Sequence, residues 1–414
     1  MVALSRRSSL FAFVPWLIIA VIVTGCEHLE INGEDRSGET VTTDVPFGEG
    51  PYDAEGFGTE GGRVGGPPPP SPDSIRVGLL LPLSGPQAAV GRAMLNASEL
   101  ALFDLGDPRF ELLPYDTKGT ADGAAMAAQV ALDDGSGLLL GPLLASSTRA
   151  VAPVARSARV PVIAFTSDRT VAAPGVFILG FTPQAEVRRI LSYAASNGLR
   201  RIAVLAPQDA YGNAVVAAAS DAAAEAGARV VRTQFYEPAA KDFGPAVAGV
   251  IRSGSGQAFD ALLIADGGER LRLIGAHLPL HNLQLPQVRV LGTGAWDDQV
   301  IGSEPALVGG WYPAPSPDYR EAFAAQYRRA FGESPPRLAT LSYDATALAA
   351  VLARGSGYFV FDETAITDPK GFLGRDGVFR FGPDGVAQRG LAVLEVERSG
   401  SRVISPAPTD FGGT

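Results

Sequence analysis

Three histidines and one cysteine are the side chains of this 414-residue chain that most often carry catalysis or bind a metal. His277 and His281 stand four residues apart, a spacing that aligns two rings on one helix face, but Pro279 between them should break such a helix. The sequence has no glycine-flanked nucleophile of the Gly-x-Ser-x-Gly type, and "GTGAWD" at 292–297 lacks the third glycine of a dinucleotide-binding loop. We therefore expect no enzyme, no metal site and no cofactor.

Cys26 follows an apolar run at residues 10–23, which has Arg6 and Arg7 in front of it. A basic start and an apolar run of about 14 residues match a secretion signal, whereas a membrane-spanning helix needs about 20. The alternatives are an uncleaved signal anchor and a chance thiol.

The sequence Val-Thr-Gly-Cys that ends at Cys26 resembles the bacterial lipobox. In that motif the signal is cleaved before the cysteine, and the thiol is lipidated. The resemblance implies a signal peptide at 1–25, lipidation at Cys26 and a periplasmic location. The absence of an aspartate after Cys26 favours the outer membrane, because Glu27 stands where inner-membrane lipoproteins tend to carry Asp.

The segment 26–74 is rich in glycine and proline, with eleven acidic residues against two basic ones from Glu27 to Ser74. It has no periodic apolar residues that could offset the entropy of ordering, so we expect a disordered tether. A coil of about 48 residues has a reach on the order of 40 Å. Such a tether would hold a folded body away from the membrane.

The composition predicts a large folded body and excludes one class of partner. A formal net charge of −10 argues against nucleic acid, which needs a basic surface. The hydrophobic fraction of 46% and the charged fraction of 19% over this length suggest two domains. Lipidation of the single cysteine would leave no thiol for a disulfide, so the core must supply the stability.

From residue 75 the sequence alternates between apolar runs of strand length and helical patterns. "IRVGLLLP", "GLLLGP", "RIAVLAP" and "DALLIAD" are each followed by a helix or loop pattern. Strands that are apolar on both faces and alternate with helices indicate α/β folding with parallel sheets covered on two sides. Two helices should begin at Thr182-Pro183 and Ser316-Pro317, with a capping hydroxyl before a first-turn proline.

Two further local patterns carry predictions. Pro153 should lie in the first turn of a helix, because an interior proline removes a hydrogen bond. The sequence "VFRFGPDGVAQRGLAVLEV" predicts two strands joined by a Pro-Asp-Gly turn, which is a hairpin that breaks the alternation.

Taken in order, "RVGLLLPLSGPQAAVG", "LLLGPLLASSTRAVAPVA", "VPVIAFTS", "RIAVLAPQDAYG" and "ATLSYDATALAAVL" resemble the type I periplasmic binding proteins of the leucine/isoleucine/valine-binding family. Within that family the sequence most resembles the penicillin-binding protein activator-like lipoproteins. The resemblance implies two doubly wound parallel-sheet lobes that are joined by three crossings, with a ligand cleft between them. Phe181-Thr182-Pro183 and Gly309-Gly310-Trp311 suit such crossings.

The resemblance divides the body as follows: a first lobe at 75–181 plus 311–375, a second lobe at 182–310, a C-terminal hairpin with the third crossing at 376–405, and a flexible tail at 406–414.

The candidate cleft residues follow the predicted strands, because ligands of open parallel sheets bind at the carboxyl ends of the strands. Hydroxyls and free amides at a helix start would suit a carboxylate. The candidates are Ser84, Gly85, Ser146, Ser147, Thr148, Thr166, Ser167, Tyr211, Asp266, Trp296 and Asp297. Ordinary turn, cap and core packing is the alternative role for each of them.

Two positions depart from the pattern of the amino-acid receptors. Those receptors hold the ligand carboxylate with a hydroxyl that aligns with Ala145, and the ammonium with an acid that aligns with Gly294. Ser146 could replace the hydroxyl, and Asp266 or Asp297 the acid. An unmatched ammonium in a closed cleft would be costly.

These observations favour a non-catalytic periplasmic binding lipoprotein, which binds either a small polar ligand, such as an amino acid or peptide, or a peptidoglycan synthase that it activates. The alternative is the substrate-binding protein of an ABC transporter for branched-chain or other amino acids, which would deliver its ligand to an ABC permease.

Overall fold

The computed structural model describes residues 74–105, 108–251, 259–281, 283, 285, 287–298, 300–354 and 360–411. The signal peptide, Cys26 and the tether lie outside these residues. Within the described part, no helix is long and apolar enough to cross a membrane.

The described residues form fifteen strands and ten α-helices, which are numbered in chain order. The strands are Ile75–Leu81 (β1), Phe110–Asp116 (β2), Leu138–Leu140 (β3), Val162–Ala164 (β4), Val176–Ile178 (β5), Arg201–Pro207 (β6), Arg229–Tyr236 (β7), Ala261–Ile264 (β8), Arg289–Gly292 (β9), Trp311–Ala314 (β10), Phe372–Gly374 (β11), Gly377–Phe381 (β12), Ala387–Arg389 (β13), Ala392–Glu397 (β14) and Gly400–Ser405 (β15). The helices are Ala88–Leu105 (α1), Ala121–Asp133 (α2), Ala145–Ala158 (α3), Pro183–Ser196 (α4), Ala210–Glu225 (α5), Gly244–Ile251 (α6), Gly268–Leu280 (α7), Pro317–Phe331 (α8), Ala339–Ala353 (α9) and Glu363–Ile366 (α10).

The first lobe is built on a five-stranded parallel sheet in the order β2-β1-β3-β4-β5. Its central strands are buried on both faces, as their continuous apolar runs predict. The order reverses between β1 and β3, and a ligand crevice in such a sheet opens at the carboxyl ends of these strands.

The second lobe repeats this arrangement. Strands β7-β6-β8-β9-β10 are parallel and follow the same order, and β14 and β15 extend the sheet antiparallel beyond β10. The fold is therefore α/β with two parallel-sheet lobes, as the sequence predicts.

One predicted boundary of the first lobe is wrong. The prediction assigns 311–375 to that lobe, but Trp311–Ala314 pairs with β9 and β14 and is the fifth parallel strand of the second sheet. The chain crosses back only after β10, at Pro315 and Ser316, rather than at Gly309-Gly310-Trp311.

The other two crossings run side by side. The chain leaves the first lobe at Phe181–Thr182, and it returns to the second at Gly390–Leu391. Arg389 donates a hydrogen bond to the carbonyl of Leu179 at 2.6 Å, which ties one crossing to the other. Between the second and third crossings, β12 and β13 form the predicted hairpin, and β11 adds a third strand to it.

Two helices begin at the predicted prolines, but the predicted capping hydrogen bonds are absent. Helices α4 and α8 begin at Pro183 and Pro317, yet the hydroxyls of Thr182 and Ser316 make no cap hydrogen bond. Pro153 is not in the first turn of α3 but in its interior.

Helix α7 also differs from the prediction, because it continues through Pro279 and brings His277 and His281 into a stacked pair with centroids 6.4 Å apart. A group of side chains suited to a metal ion is absent from the described residues.

Candidate functional site

The loop after β1 is fixed by a carboxylate at the end of β2. Asp116 accepts hydrogen bonds from the hydroxyl of Ser84 at 2.6 Å and from the amide of Leu83 at 2.9 Å. Burial would raise the pKa of Asp116, but the hydrogen bonds from Ser84 and the loop amides outweigh it and lower that pKa. Gly85 has a φ of +80°, and a Cβ there would lie 2.9 Å from the carbonyl oxygen of Lys118. The exposed Ser84-Gly85 tip is therefore held in place at the carboxyl edge of the sheet.

The start of α3 lies at the same edge, and no side chain caps it. Its N-cap residue is Leu144, which has no capping oxygen in its side chain. Two of the candidate hydroxyls near this helix start bind within the protein: Ser147 donates to the carbonyl of Thr120 at 3.2 Å, and Thr148 donates to that of Leu144 at 3.0 Å. The first amides of the helix therefore lack an intrahelical acceptor, and Ser146 is exposed beside them.

The loop after β4 offers one exposed hydroxyl, that of Ser167. Thr166 is 5% exposed, and its oxygen accepts a hydrogen bond from the amide of Asp168 at 3.1 Å. The first lobe thus presents Ser84, Ser146 and Ser167 to solvent, whereas Ser147, Thr148 and Thr166 serve the packing of the loops.

On the second lobe, Tyr211 projects from the first turn of α5. Its hydroxyl lies 2.7 Å from the hydroxyl of Thr293, which follows β9, and the residue as a whole is 37% exposed. Burial raises the pKa of Tyr211, so the phenol stays protonated at neutral pH. Tyr211 is therefore a partly exposed aromatic side chain at the carboxyl edge of this sheet, and its role in a ligand cleft stays a prediction.

Asp266 is buried in a network within its own lobe. It accepts hydrogen bonds from the hydroxyl of Tyr236 and the amide of Gly267, and it forms an ion pair with Arg270 at 3.1 Å. Only 4% of Asp266 is exposed. The carboxylate of Asp266 therefore binds groups of its own lobe and is not exposed to a ligand ammonium.

Asp297 joins the two lobes. It pairs with Arg320 of α8 and lies 3.4 Å from Arg337, which precedes α9, and both arginines belong to the first lobe. Its neighbour Trp296 is fully buried in the core of the second lobe and donates from its indole nitrogen to the carbonyl of Ile264. In this structure neither residue presents a surface for stacking on or pairing with a ligand, because their partners are protein groups.

Sequence reasoning missed Glu186, which occupies the place of the absent acid. Its Oε2 accepts a hydrogen bond from the amide of Gly294 at 2.9 Å, and a Cβ at Gly294 would lie 2.3 Å from its Oε1. The carboxylate of α4 thus fills the space where a side chain at 294 would stand. Its only sequence signal is an acidic residue in the first turn of a predicted helix.

Arg337 sets the charge around Glu186. Burial raises the pKa of Glu186, and the charge of Arg337 and the amide of Gly294 act against that rise. The guanidinium of Arg337 lies 4.0 Å from Glu186 and packs over the ring of Phe181 at 4.1 Å from its centroid. Glu186, Asp266 and Asp297 are therefore each matched by an arginine of this chain.

Asp344 of α9 and Asp376, which precedes β12, form a buried pair of carboxyl groups. Burial and the charge of Asp376 raise the pKa of Asp344 to about 7, against the pull of the Arg375 amide. The folded protein therefore keeps a proton on Asp344 between pH about 4 and about 7, where the unfolded chain has lost it. The free energy of unfolding should fall as the pH rises through this window.

The variant Asp344→Asn should remove this loss, because an amide of the same shape stays neutral. We expect it to be more stable than the wild type above pH about 7, by a few kcal/mol, with a flatter pH profile in urea unfolding from pH about 5 to about 8. Asp116→Asn is the control: the pKa of Asp116 is lowered, so its variant should lose stability instead. Parallel profiles for wild type and Asp344→Asn would contradict the raised pKa.

Comparison with known proteins identifies the family to which this chain belongs. The family model described as periplasmic binding protein matches residues 74–401. The chain belongs to the periplasmic binding protein family. Membership implies a periplasmic or extracellular location for this chain. Other proteins of this fold bind small molecules, such as benzoate.

Two solved structures of periplasmic binding proteins share the fold. A putative branched-chain amino acid ABC transporter protein from Rhodospirillum rubrum aligns with a TM-score of 0.71 at 22% identity, over 80% of this chain and 100% of its own. A solute binding protein of an ABC transporter from R. palustris, in complex with benzoate, aligns with a TM-score of 0.58 at 19% identity, over 81% of this chain and 98% of its own.

One curated relative matches part of the chain. An uncharacterized protein of Rickettsia prowazekii is 21% identical over 215 residues, which are 50% of this chain and 57% of that protein. The chain thus matches little more than half the length of this relative.

Proposed function

We propose that this protein is a non-catalytic receptor of the cell envelope whose cleft binds a small molecule with a carboxylate group. The observation that carries the proposal is the start of α3, where no side chain caps the helix at the carboxyl edge of the first sheet. Free amides and the positive end of the helix dipole suit a carboxylate. The hydroxyl of Ser146 and, from the next loop, that of Ser167 are the neighbouring donors.

The second lobe supports a ligand without an ammonium group. Its acids Glu186, Asp266 and Asp297 are matched by arginines, so none of them is free to pair with a ligand cation. Moving an ammonium group out of water costs free energy unless it gains a partner in the protein. Tyr211 offers an aromatic surface instead. An aromatic or aliphatic monocarboxylate therefore fits better than an amino acid, and the R. palustris relative is in complex with benzoate.

A ligand screen followed by thermal unfolding tests this function. A carboxylate at about 100 times its dissociation constant should raise the free energy of unfolding by about 2.7 kcal/mol. Tyr211→Ala should weaken the binding about tenfold, because it removes the exposed ring, whereas the exposed Asn213→Ala on the same helix is the matched control. Equal affinities in the two variants would reject the assignment of the cleft.

Location and delivery extend this proposal. We propose that Cys26 carries a lipid that anchors the protein in the outer membrane, and that the acidic segment 26–74 acts as a tether. Incorporation of labelled palmitate into the wild type but not into Cys26→Ser would support the anchor, and equal labelling would refute it.

Delivery to an ABC permease is consistent with the transporter relatives, and it rests on their similarity alone.

A second candidate function is the activation of a peptidoglycan synthase. The observation that favours it is the pairing of Asp297 with Arg320 and Arg337, which ties the lobes together and suits a rigid platform for a protein partner. A platform needs no ligand. Failure of every carboxylate, amino acid and cell-wall fragment to shift the unfolding temperature would favour this function.

A further inference from the structure

A cavity of about 760 Å³ lies at the amino ends of the strands of the first sheet. It crosses four neighbouring strands, because its lining includes Arg76 of β1, Gly137 before β3, Pro161 before β4 and Gly175 before β5. We call it the amino-edge groove. The candidate cleft opens at the carboxyl ends of the same strands, so the two lie at opposite edges of the sheet.

The lining of the amino-edge groove is mainly apolar and reaches solvent. The C-terminal half of α3 forms one wall, and residues 360–363, which lead into α10, form the other. Several apolar side chains of the lining are half-buried or exposed: Ile75, Ala152, Val160, Pro161, Pro174 and Val360. A connected apolar surface of this kind is typical of a site that another apolar group covers.

Two arginines stand on the α3 side of the groove. Arg156 lies in the last turn of α3 and Arg159 is its C-cap residue, and both are exposed. Among the described residues, neither guanidinium has a hydrogen-bond or ion-pair partner. A guanidinium donates hydrogen bonds and accepts none. A suitable occupant therefore combines apolar groups with hydrogen-bond acceptors.

The chain itself brings such a segment to the groove. Ser74, where the described residues begin, lines it. Just upstream, residues 67–72 have the sequence Pro-Pro-Pro-Pro-Ser-Pro. Proline has an apolar ring and a carbonyl acceptor but no amide hydrogen. The segment has no charged side chain, so the carboxylates of Asp362 and Glu363 on the other wall do not repel it.

The length of the segment also matches the groove. Four neighbouring strands span three spacings of about 4.8 Å, which is about 14 Å. Proline-rich sequences favour the polyproline II helix, which rises about 3.1 Å per residue, so six residues extend about 19 Å. The segment is therefore long enough to cross the groove from β1 to β5.

We propose that the proline segment 67–72 docks in the amino-edge groove. Its rings cover the apolar lining, and its carbonyl oxygens accept hydrogen bonds from Arg156 and Arg159. Apolar grooves bind polyproline II segments in other proteins, because such a segment loses little conformational entropy on binding. The chain then leaves the first lobe beside β5 instead of at β1, and the free part of the tether ends at residue 66.

Disulfide trapping in the whole chain tests this docking. Cys26→Ser removes the single cysteine, and Ser71→Cys keeps all five prolines of the segment. Position 71 lies about 9 Å from Ser74 along a polyproline II helix, which leaves about 5 Å to β5. That distance suits the Cα separation of a disulfide. The second cysteine therefore replaces the exposed Pro174, just before β5.

The matched control places the second cysteine at the exposed Pro108 instead. Pro108 precedes β2, which pairs with β1 on the side away from the groove. It is one strand spacing from β1, whereas Pro174 is three spacings away. A segment that moves freely would therefore reach Pro108 at least as often as Pro174.

We expect at least tenfold more disulfide within one chain for Ser71→Cys with Pro174→Cys than with Pro108→Cys, measured by mass spectrometry after mild oxidation. Replacing the four prolines 67–70 with serine should lower the yield with Pro174→Cys to that of the control. Equal yields for the two pairs would mean that the segment is not docked. A disulfide between two molecules would assign the groove to a second copy, and no disulfide in either pair would leave it to another occupant. Each of these three results would overturn the proposal. The test uses no ligand, so it is independent of the proposed function.

Discussion

Replacing Trp296 with alanine should destabilise the protein by about 4 kcal/mol, because it empties a large space in the core of the second lobe. The indole is fully buried and packs against the backbone of Gly292, where a Cβ would lie 2.1 Å from its Cδ2. Its ring also faces Tyr312, with centroids 6.5 Å apart. Urea unfolding measures the loss.

Trp296→Phe is the control for this prediction. Phenylalanine keeps most of the volume and loses the hydrogen bond to Ile264, so we expect a smaller loss of stability. The sequence allows a second role for Trp296, as a stacking surface in the cleft. Unchanged stability of Trp296→Ala, together with a loss of ligand affinity, would restore that role.

The cleft should prefer benzoate to leucine by about 100-fold, which corresponds to about 3 kcal/mol of binding free energy. Both ligands offer a carboxylate and an apolar body, but leucine also brings an ammonium group. Its natural partners on the second lobe are matched within the protein: Glu186 by Arg337, Asp297 by Arg320 and Arg337, and Asp266 by Arg270. The ammonium would lose its hydration without gaining an ion pair.

The variant Arg337→Gln tests whether the pairing of these acids causes the preference for benzoate. The variant removes the arginine that faces Glu186, whereas Asp297 keeps its partner Arg320, so Glu186 is the carboxylate that becomes available to the ligand ammonium. Leucine affinity should rise, while benzoate affinity should change little. Arg188→Gln is the control, because Arg188 pairs with Glu225 away from these acids. Tight leucine binding by the wild type would contradict the account of the second lobe.

Much of the fold could be predicted because the signals are local. Each apolar run of strand length gives a buried strand, and each helix start marked by proline falls where Pro183 and Pro317 place it. The alternation of strands and helices indicates the parallel sheets. The sheet to which β10 belongs could not be predicted, because the four residues Trp311–Ala314 have no local feature that distinguishes one lobe from the other.

The candidate site was harder to predict because its side chains find partners far along the chain. The hydroxyl of Ser147 is bound by Thr120, and the carboxylate of Asp297 is bound by an arginine 23 residues later. Glu186 reaches Gly294 across 108 positions. Spacing within a motif carries no information on such pairings. Exposed residues that follow strands directly, such as Ser84 and Tyr211, were predictable because their position depends only on the sheet.

A crystal structure of the protein grown with benzoate tests the central claim most directly. We expect the carboxylate within hydrogen-bond distance of the first amides of α3 and the hydroxyl of Ser146, with the ring against Tyr211. Benzoate bound elsewhere on the surface, or an empty space between these residues at saturating ligand, would contradict the claim that this cleft is a receptor site for small carboxylates.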